Sequence, residues 1–298
     1  MNTAVPGGTP EPGGWWPSRY GAEDEAGALN EITAGGIVRA AGLVRQGRTF
    51  DLAHVLDAGV PAFPGREFSQ RLGPPDGGIG RNRVGWVVEQ VTAPSQIGTH
   101  LDGLNHLRIG DRSYNGFRFD DIAEEWGTNR LGVETLPQIV TRGLLLDIAG
   151  LRGEERLAAG EVITPDDAEK ALAGRGLEVE PGDGVLFHTG WGAQWGVDNT
   201  AYSAGEPGPG LALGAWLADH RVALTGCDTW SFGPVPPEDP DEPFVVPQIL
   251  NAHHGVVVLE NLRLAELAAA GVAEFLLVVS HAKLRGATGA WVAPLAVI

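Results

Sequence analysis

The chain has 298 residues, 43% of them apolar, with 38 acidic against 21 basic residues and a formal net charge of −17. That apolar content suits a globular protein with a sizeable core, and the charge argues against nucleic acid or an anionic membrane surface as a partner. A single cysteine, Cys227, rules out an intramolecular disulfide and a cysteine-rich zinc site, and no run of about 18 apolar residues is present to span a membrane.

The opening MNTAVPGGTPEPGG has no basic stretch followed by an apolar one, so residues 1–14 read as a flexible segment and not a secretion signal. A cytoplasmic location is the expectation, and residues 15–298 read as a single domain. Thr33 is placed to N-cap a helix whose apolar positions Ile37, Ala40, Ala41 and Val44 carry it to near Gly47. RTFDLAHVL is predicted as a strand. After a Pro/Gly turn from Val60 to Gly65 and a Gly-rich loop ending near Arg83, VGWVVEQVTA is predicted as another.

The second half alternates. GLLLDIA and DGVLFHTG are predicted strands, TPDDAEKALAGRG a capped helix, GLALGAWLADH a helix, and RVALTGCDTW a strand ending in a polar loop. GVVVLENL and EFLLVVSHAKL are two further strands around the short helix LAELAAAG. The pattern is that of one α/β domain, a mixed β-sheet with packed helices.

Chemistry concentrates in QIGTHLDGLNH, Gln96 to His106. In an extended chain residues i and i+2 point to the same side, so His100 and Asp102 can converge on one ion. Gln96, at i−4 from His100, falls on that side too, and its amide oxygen can ligate. Gly98 lets the backbone bend inward, and His106 can reach the same cavity as a base. The spacing alone leaves two readings open, a metal or catalytic site and a hydrogen-bonded polar turn.

Elsewhere the residues speak less. His54 and His188 read as core histidines, His253 and His254 as turn residues, and His220 as a helix-end residue favoured by the dipole. His281, beside Lys283 and Arg285, reads as an anion ligand or a solvated side chain. Glu260 follows the apolar run Val256 to Leu259, where a carboxylate is costly to bury unless paired, protonated or metal-bound. It lies at an exposed strand end or in a site; Asp228, after another apolar strand, caps a turn or does chemistry.

GTHLDGLNH, GCDTWS, VVVLENL and the closing KLRGATGAWVAPLAV, with SRYGAEDEAGALNEIT near the start, together resemble the metal-dependent cyclase family that includes bacterial kynurenine formamidase and isatin hydrolase. The likeness runs from about Trp16 to Ile298 and is to the family's longer bacterial branch. It implies a swivelling β/β/α fold, assembly as a homodimer or homotetramer, and hydrolysis of an amide or cyclic amide. Thr99, His100 and Asp102 then stand at the motif threonine and metal ligands, His106 at the general acid/base, and Glu260 at a carboxylate that helps hold metal. The family's motif is His-x-Gly-Thr-His-x-Asp-x-Pro-x-His. Here its first histidine is Gln96 and its proline is Leu104, and Gln248 stands twelve residues before Glu260 where two-metal formamidases have a histidine.

Loss of two imidazoles argues against a two-zinc centre. One divalent ion on Gln96, His100 and Asp102, joined by Glu260, is an oxygen-rich set that favours Mn²⁺ over Zn²⁺. The expected activity is metal-assisted C–N hydrolysis of a small ring-containing metabolite, with Phe63, Trp86, Trp191 and Trp230 as an apolar wall. Two other readings stay open: a cyclase, dehydratase or isomerase of a small oxygenated metabolite in the same pocket, with or without metal, and a non-catalytic binding protein.

Overall fold

The computed structural model describes residues 14–74 and 77–298. The segment expected to be flexible, residues 1–14, thus lies outside the described residues except for Gly14. Nine strands form one mixed sheet, numbered here in chain order: β1 Thr49–Asp51, β2 His100–Asp102, β3 Ile139–Asp147, β4 Gly184–His188, β5 Leu224–Cys227, β6 Val257–Glu260, β7 Glu274–Val279, β8 Gly289–Trp291 and β9 Leu295–Val297. Their order across the sheet is β1-β9-β7-β3-β4-β5-β6-β2-β8. The central four, β3 to β6, run parallel, and every pairing outside them is antiparallel.

The parallel strands are apolar on both faces, as covered parallel sheets must be. Leu145, Leu186, Leu224, Leu101 and Leu259 pack on one side, while Leu144, Leu146, Val185, Phe187 and Val258 pack on the other. Helices Pro165–Ala173 and Leu211–Asp219 contribute to that second layer through Ala168, Leu172, Leu213 and Leu217. The predicted cap of the first forms: Thr164 accepts from Asp167 N–H, and the Asp167 carboxylate returns a bond to Thr164 N–H, the reciprocal arrangement of a capping box.

Three elements are shorter than their patterns predict. The Thr33-capped helix covers only Ala34–Ala41, because Gln46 and Arg48 N–H bond to Ile298 O and pull the chain toward the sheet edge. β1 stops at Asp51; soon after, His54 N–H leaves the ladder for the Thr99 hydroxyl. Of VGWVVEQVTA only Glu89–Thr92 is a strand, paired with Ser69–Leu72 in an exposed two-stranded ribbon with no sheet beneath it. Among the described residues no helix is long and apolar enough to cross a membrane.

Candidate functional site

β2 lies between β6 and β8, and its register decides the site. His100 is directly opposite Glu260 on β6, and Leu101 is opposite Leu259. Side chains alternate across a strand and direct neighbours share a face. His100, Asp102 and Glu260 therefore project together, while Leu101 and Leu259 enter the core. One ligand atom from each lies within 4.8 Å of the others, and all three residues are buried.

Gly98 sets the histidine. Its φ of +63° suits glycine, and a Cβ there would meet Leu56 Cδ2 at 2.0 Å. In that conformation its carbonyl accepts from His100 Nδ1 at 2.8 Å and from Asn261 Nδ2 at 3.0 Å. The opposite ring nitrogen is thereby aimed at the carboxylates, the usual way an imidazole ligand is oriented. His100 Nε2 lies 3.1 Å from Glu260 Oε2 and 3.5 Å from Asp102 Oδ1. Neither Nε2 nor Asp102 Oδ1 has a well-directed hydrogen-bond partner. Buried polar atoms are seldom left so, and a divalent cation between an imidazole and two carboxylates would satisfy both.

The charges are strongly coupled. Burial pulls the His100 imidazolium down, but Asp102 and Glu260 outweigh it and raise its pKa to about 10. Burial pushes Asp102 up, and His106 and His100, with help from Arg66, hold it below its usual range. Burial and the Asp102 charge push Glu260 up. Two carboxylates thus crowd one histidine.

His106 stands at the mouth, its side chain 23% exposed and its Nε2 3.8 Å from Asp102 Oδ1. Gln96 lies beside the triad, its amide nitrogen 3.3 Å from His106 Nδ1 and 3.1 Å from Thr288 Oγ1. In that orientation only its oxygen remains for a cation. Gln248 points away, donating to Arg108 O at 2.6 Å.

Of the four aromatic residues expected to form a wall, the structure brings together two. Phe63 and Trp230 lie 5.8 Å apart and line a cavity of about 220 Å³ with Gln96, Gly98 and Asn261. Trp86 is 46% exposed, close to the outlying ribbon, and does not line this cavity. Trp191 is buried and donates its ring N–H to Tyr202 O, as a packing residue does.

Two residues escaped the sequence reading. Asn261 accepts from Tyr202 OH, gives its carbonyl to Thr99 Oγ1, and turns the chain at φ +54°; the only sequence signal is an asparagine following the strand, a type that tolerates this conformation. Glu206 is fully buried, its Oε2 accepting from Trp230 and Ser231 N–H. Burial and the Glu260 charge push its pKa well up. Set in GEPGPG, it reads as an exposed loop residue, and nothing local reveals it.

A family model described as "Putative cyclase" matches residues 50–234, more than half of the chain. Among solved structures, a novel cyclase is 29% identical, with a TM-score of 0.85 over 94% of this chain and 98% of that one. Isatin hydrolase A from Ralstonia solanacearum is 22% identical, with a TM-score of 0.61 over 88% and 94%. Isatin hydrolase A from Labrenzia aggregata is 20% identical, with a TM-score of 0.62 over 90% and 98%. The sequence matches no curated protein. The family match spans the site motif and the fold agrees over 94% of the chain: the chain belongs to the cyclase family.

Proposed function

We propose that this chain is a metal-dependent hydrolase that opens an amide or cyclic amide in a small ring-containing metabolite. One observation carries the reading: three buried side chains converge on one point with His100 Nε2 and Asp102 Oδ1 left unpartnered. The isatin hydrolase names of two fold neighbours agree with it. His100, Asp102 and Glu260 would hold the ion. With one nitrogen and two carboxylates the set is oxygen-rich, and Mn²⁺ is favoured over Zn²⁺.

Bound there, a divalent cation polarises a carbonyl and lowers the pKa of water, from about 15.7 to about 7 in the zinc case. The remaining work falls to the chain. His106, at the mouth, takes a proton at Nε2 from the attacking water and returns it to the leaving nitrogen. This requires the lone pair on Nε2 and the proton on Nδ1, which Gln96 would support with its amide turned over from the orientation in which Nε2 faces Nδ1, so that the oxygen accepts from Nδ1–H. An amide's oxygen and nitrogen exchange places by a simple flip. With the nitrogen presented instead, Nε2 carries the proton and His106 is set up as an acid. Phe63 and Trp230 hold the substrate's ring and keep bulk water from the reacting carbonyl.

Protein grown with Mn²⁺ and Zn²⁺ should carry about one divalent ion per chain, and a cyclic amide that it hydrolyses in ¹⁸O-water should gain one labelled oxygen in its new carboxyl. Metal-free protein from such growth would sink the reading. Conversion of a ring substrate without label would move the chain to the cyclases, dehydratases or isomerases.

A further inference from the structure

We infer that the substrate carries a carboxylate on its ring and that Arg66 binds it. This rests on the proposed function only in taking the Phe63–Trp230 cavity as the substrate's. Arg66 lines that cavity. Its guanidinium lies 5.3 Å from the Phe63 ring centre, and Nη1 donates to Gln96 O at 2.9 Å. Its guanidinium has five N–H donors, and this is the only side-chain hydrogen bond Arg66 makes among the described residues.

The missing partner is informative in a chain with a net charge of −17. Other partly buried arginines are neutralised: Arg130 lies 2.6 Å from Glu25, Arg142 2.6 Å from Asp183, and Arg152 2.7 Å from Asp167. Arg66 has no carboxylate within 4 Å among the described residues, although it too is only partly exposed. A cation left unpaired on an apolar wall discriminates strongly, because the low local dielectric raises the gain from an anionic partner. Guanidinium and carboxylate also match in a bidentate geometry.

Size narrows the class further. A cavity of about 150 Å³ can hold benzene, so about 220 Å³ admits one ring with a small substituent. The carboxyl released by hydrolysis forms at the His100, Asp102 and Glu260 end. Arg66 lines the Phe63–Trp230 cavity, which none of His100, Asp102, His106 and Glu260 lines. The anion on Arg66 is therefore a substituent present before the reaction. The substrate class is a single-ring amide, or lactam, with a carboxylate at the end away from the scissile bond.

The test uses benzoate and the neutral benzamide as probes of the metal-loaded protein, followed by calorimetry. Benzoate should bind roughly 10- to 100-fold more tightly, the range of one charge-assisted contact. Arg66→Met should bring benzoate down to the level of benzamide and leave benzamide unchanged; Arg66→Lys should keep part of the preference. Equal binding to the unmodified protein, or no binding of benzoate, overturns the inference. So does a preference that survives Arg66→Met. If that surviving preference vanishes on chelation, the anion sits on the ion and the hydrolase reading stands alone. An Arg66-dependent preference in protein that never holds metal would do the reverse.

Discussion

Among the described residues His100, buried, and His188, partly buried, are each flanked by a pair of carboxylates, and the two clusters are built in opposite ways. At the ends of the parallel strands β3 and β4, His188 Nδ1 lies 2.7 Å from Asp147 Oδ1, and its Nε2 is 3.9 Å from Asp228 Oδ2, just beyond β5. Each acid has donors of its own. Asp147 caps Gly150 N–H, and Asp228 accepts from Thr189 N–H and Oγ1. At the other cluster His100 turns one nitrogen toward both acids, and that Nε2 and the facing Asp102 Oδ1 lack well-directed partners. The residue types are alike; the difference is satisfaction. A satisfied group ties strands together, whereas an unsatisfied one of this charge density is a site for a cation.

The largest break in this comparison should come from Asp102→Ala. It removes one of two carboxylates facing His100, so metal content should fall to background and turnover by about 10³ or more, since the ion's contribution is several kcal/mol. Stoichiometric metal in that variant would show that the ion sits elsewhere. His106→Ala should retain the metal and lose roughly 10²–10⁴ in turnover; metal loss there would make His106 a ligand. The raised His100 pKa of about 10 adds a pH effect. The ion must displace the imidazolium proton, so its affinity should tighten as pH rises, measurable by competition with a chelator from pH 6 to about 8.

Much of the His100 cluster was legible because it is local. His100 and Asp102 are two residues apart on one strand, and period-two alternation puts them on one face wherever β2 lies. Glu260 is 158 residues further on, and only the β2–β6 register makes it their neighbour. Its apolar run marked it as costly to bury, which was half of the answer. The sheet's strands were legible for the same reason: β3 to β7 are apolar runs that pattern and length identify. The edges were not, since β1 and the exposed ribbon end where tertiary hydrogen bonds intervene. The cavity walls were harder still. Aromatic type could not separate Phe63 and Trp230, which face the cavity, from Trp191, which packs beneath Arg156.

A smaller effect is expected at the satisfied cluster, and on stability alone. Asp228→Ala would leave Thr189 N–H and Oγ1 buried without an acceptor, at a cost of about 1–3 kcal/mol, with metal content unchanged. The pH dependence follows from opposite shifts. Burial lowers the His188 pKa, but Asp147 and Asp228 outweigh it and the net shift is upward; the His188 bond holds Asp147 down. The raised histidine contributes fully below its unfolded value near 6.5 and loses its contribution as pH rises through the folded value. The depressed aspartate contributes above about 3.8 and loses it as pH falls. The pair is one interaction seen from both sides, at its strongest between those limits. The parent's denaturant midpoint should therefore decline as pH rises above about 6.5, and His188→Leu should lose that decline. A metal content that falls with Asp228→Ala would erase the contrast between the clusters.

The smallest effect should be at Gln96, where it tests which end of the amide matters. A lone hydrogen bond contributes about 0.5–1.5 kcal/mol, so Gln96→Ala should cost roughly 2- to 13-fold in turnover if Gln96 only orients His106, with the metal retained. Gln96→Glu separates the alternatives. A carboxylate can only accept, so it fixes the proton on His106 Nδ1 and leaves Nε2 basic. If the amide oxygen serves His106, this variant should keep activity within a few-fold of the parent while the alanine variant does not. If the oxygen instead binds the ion, Gln96→Ala should weaken metal affinity and Gln96→Glu strengthen it, an outcome that metal titration reads without any substrate. Gly289 bears on the same choice. A Cβ at that position would come within 2.6 Å of Gln96 Nε2 and 2.8 Å of Leu101 O, so Gly289→Ala should displace the amide and cost at least the loss seen in Gln96→Ala. A Gly289→Ala variant with parental turnover would mean that the position of Gln96 does not govern His106.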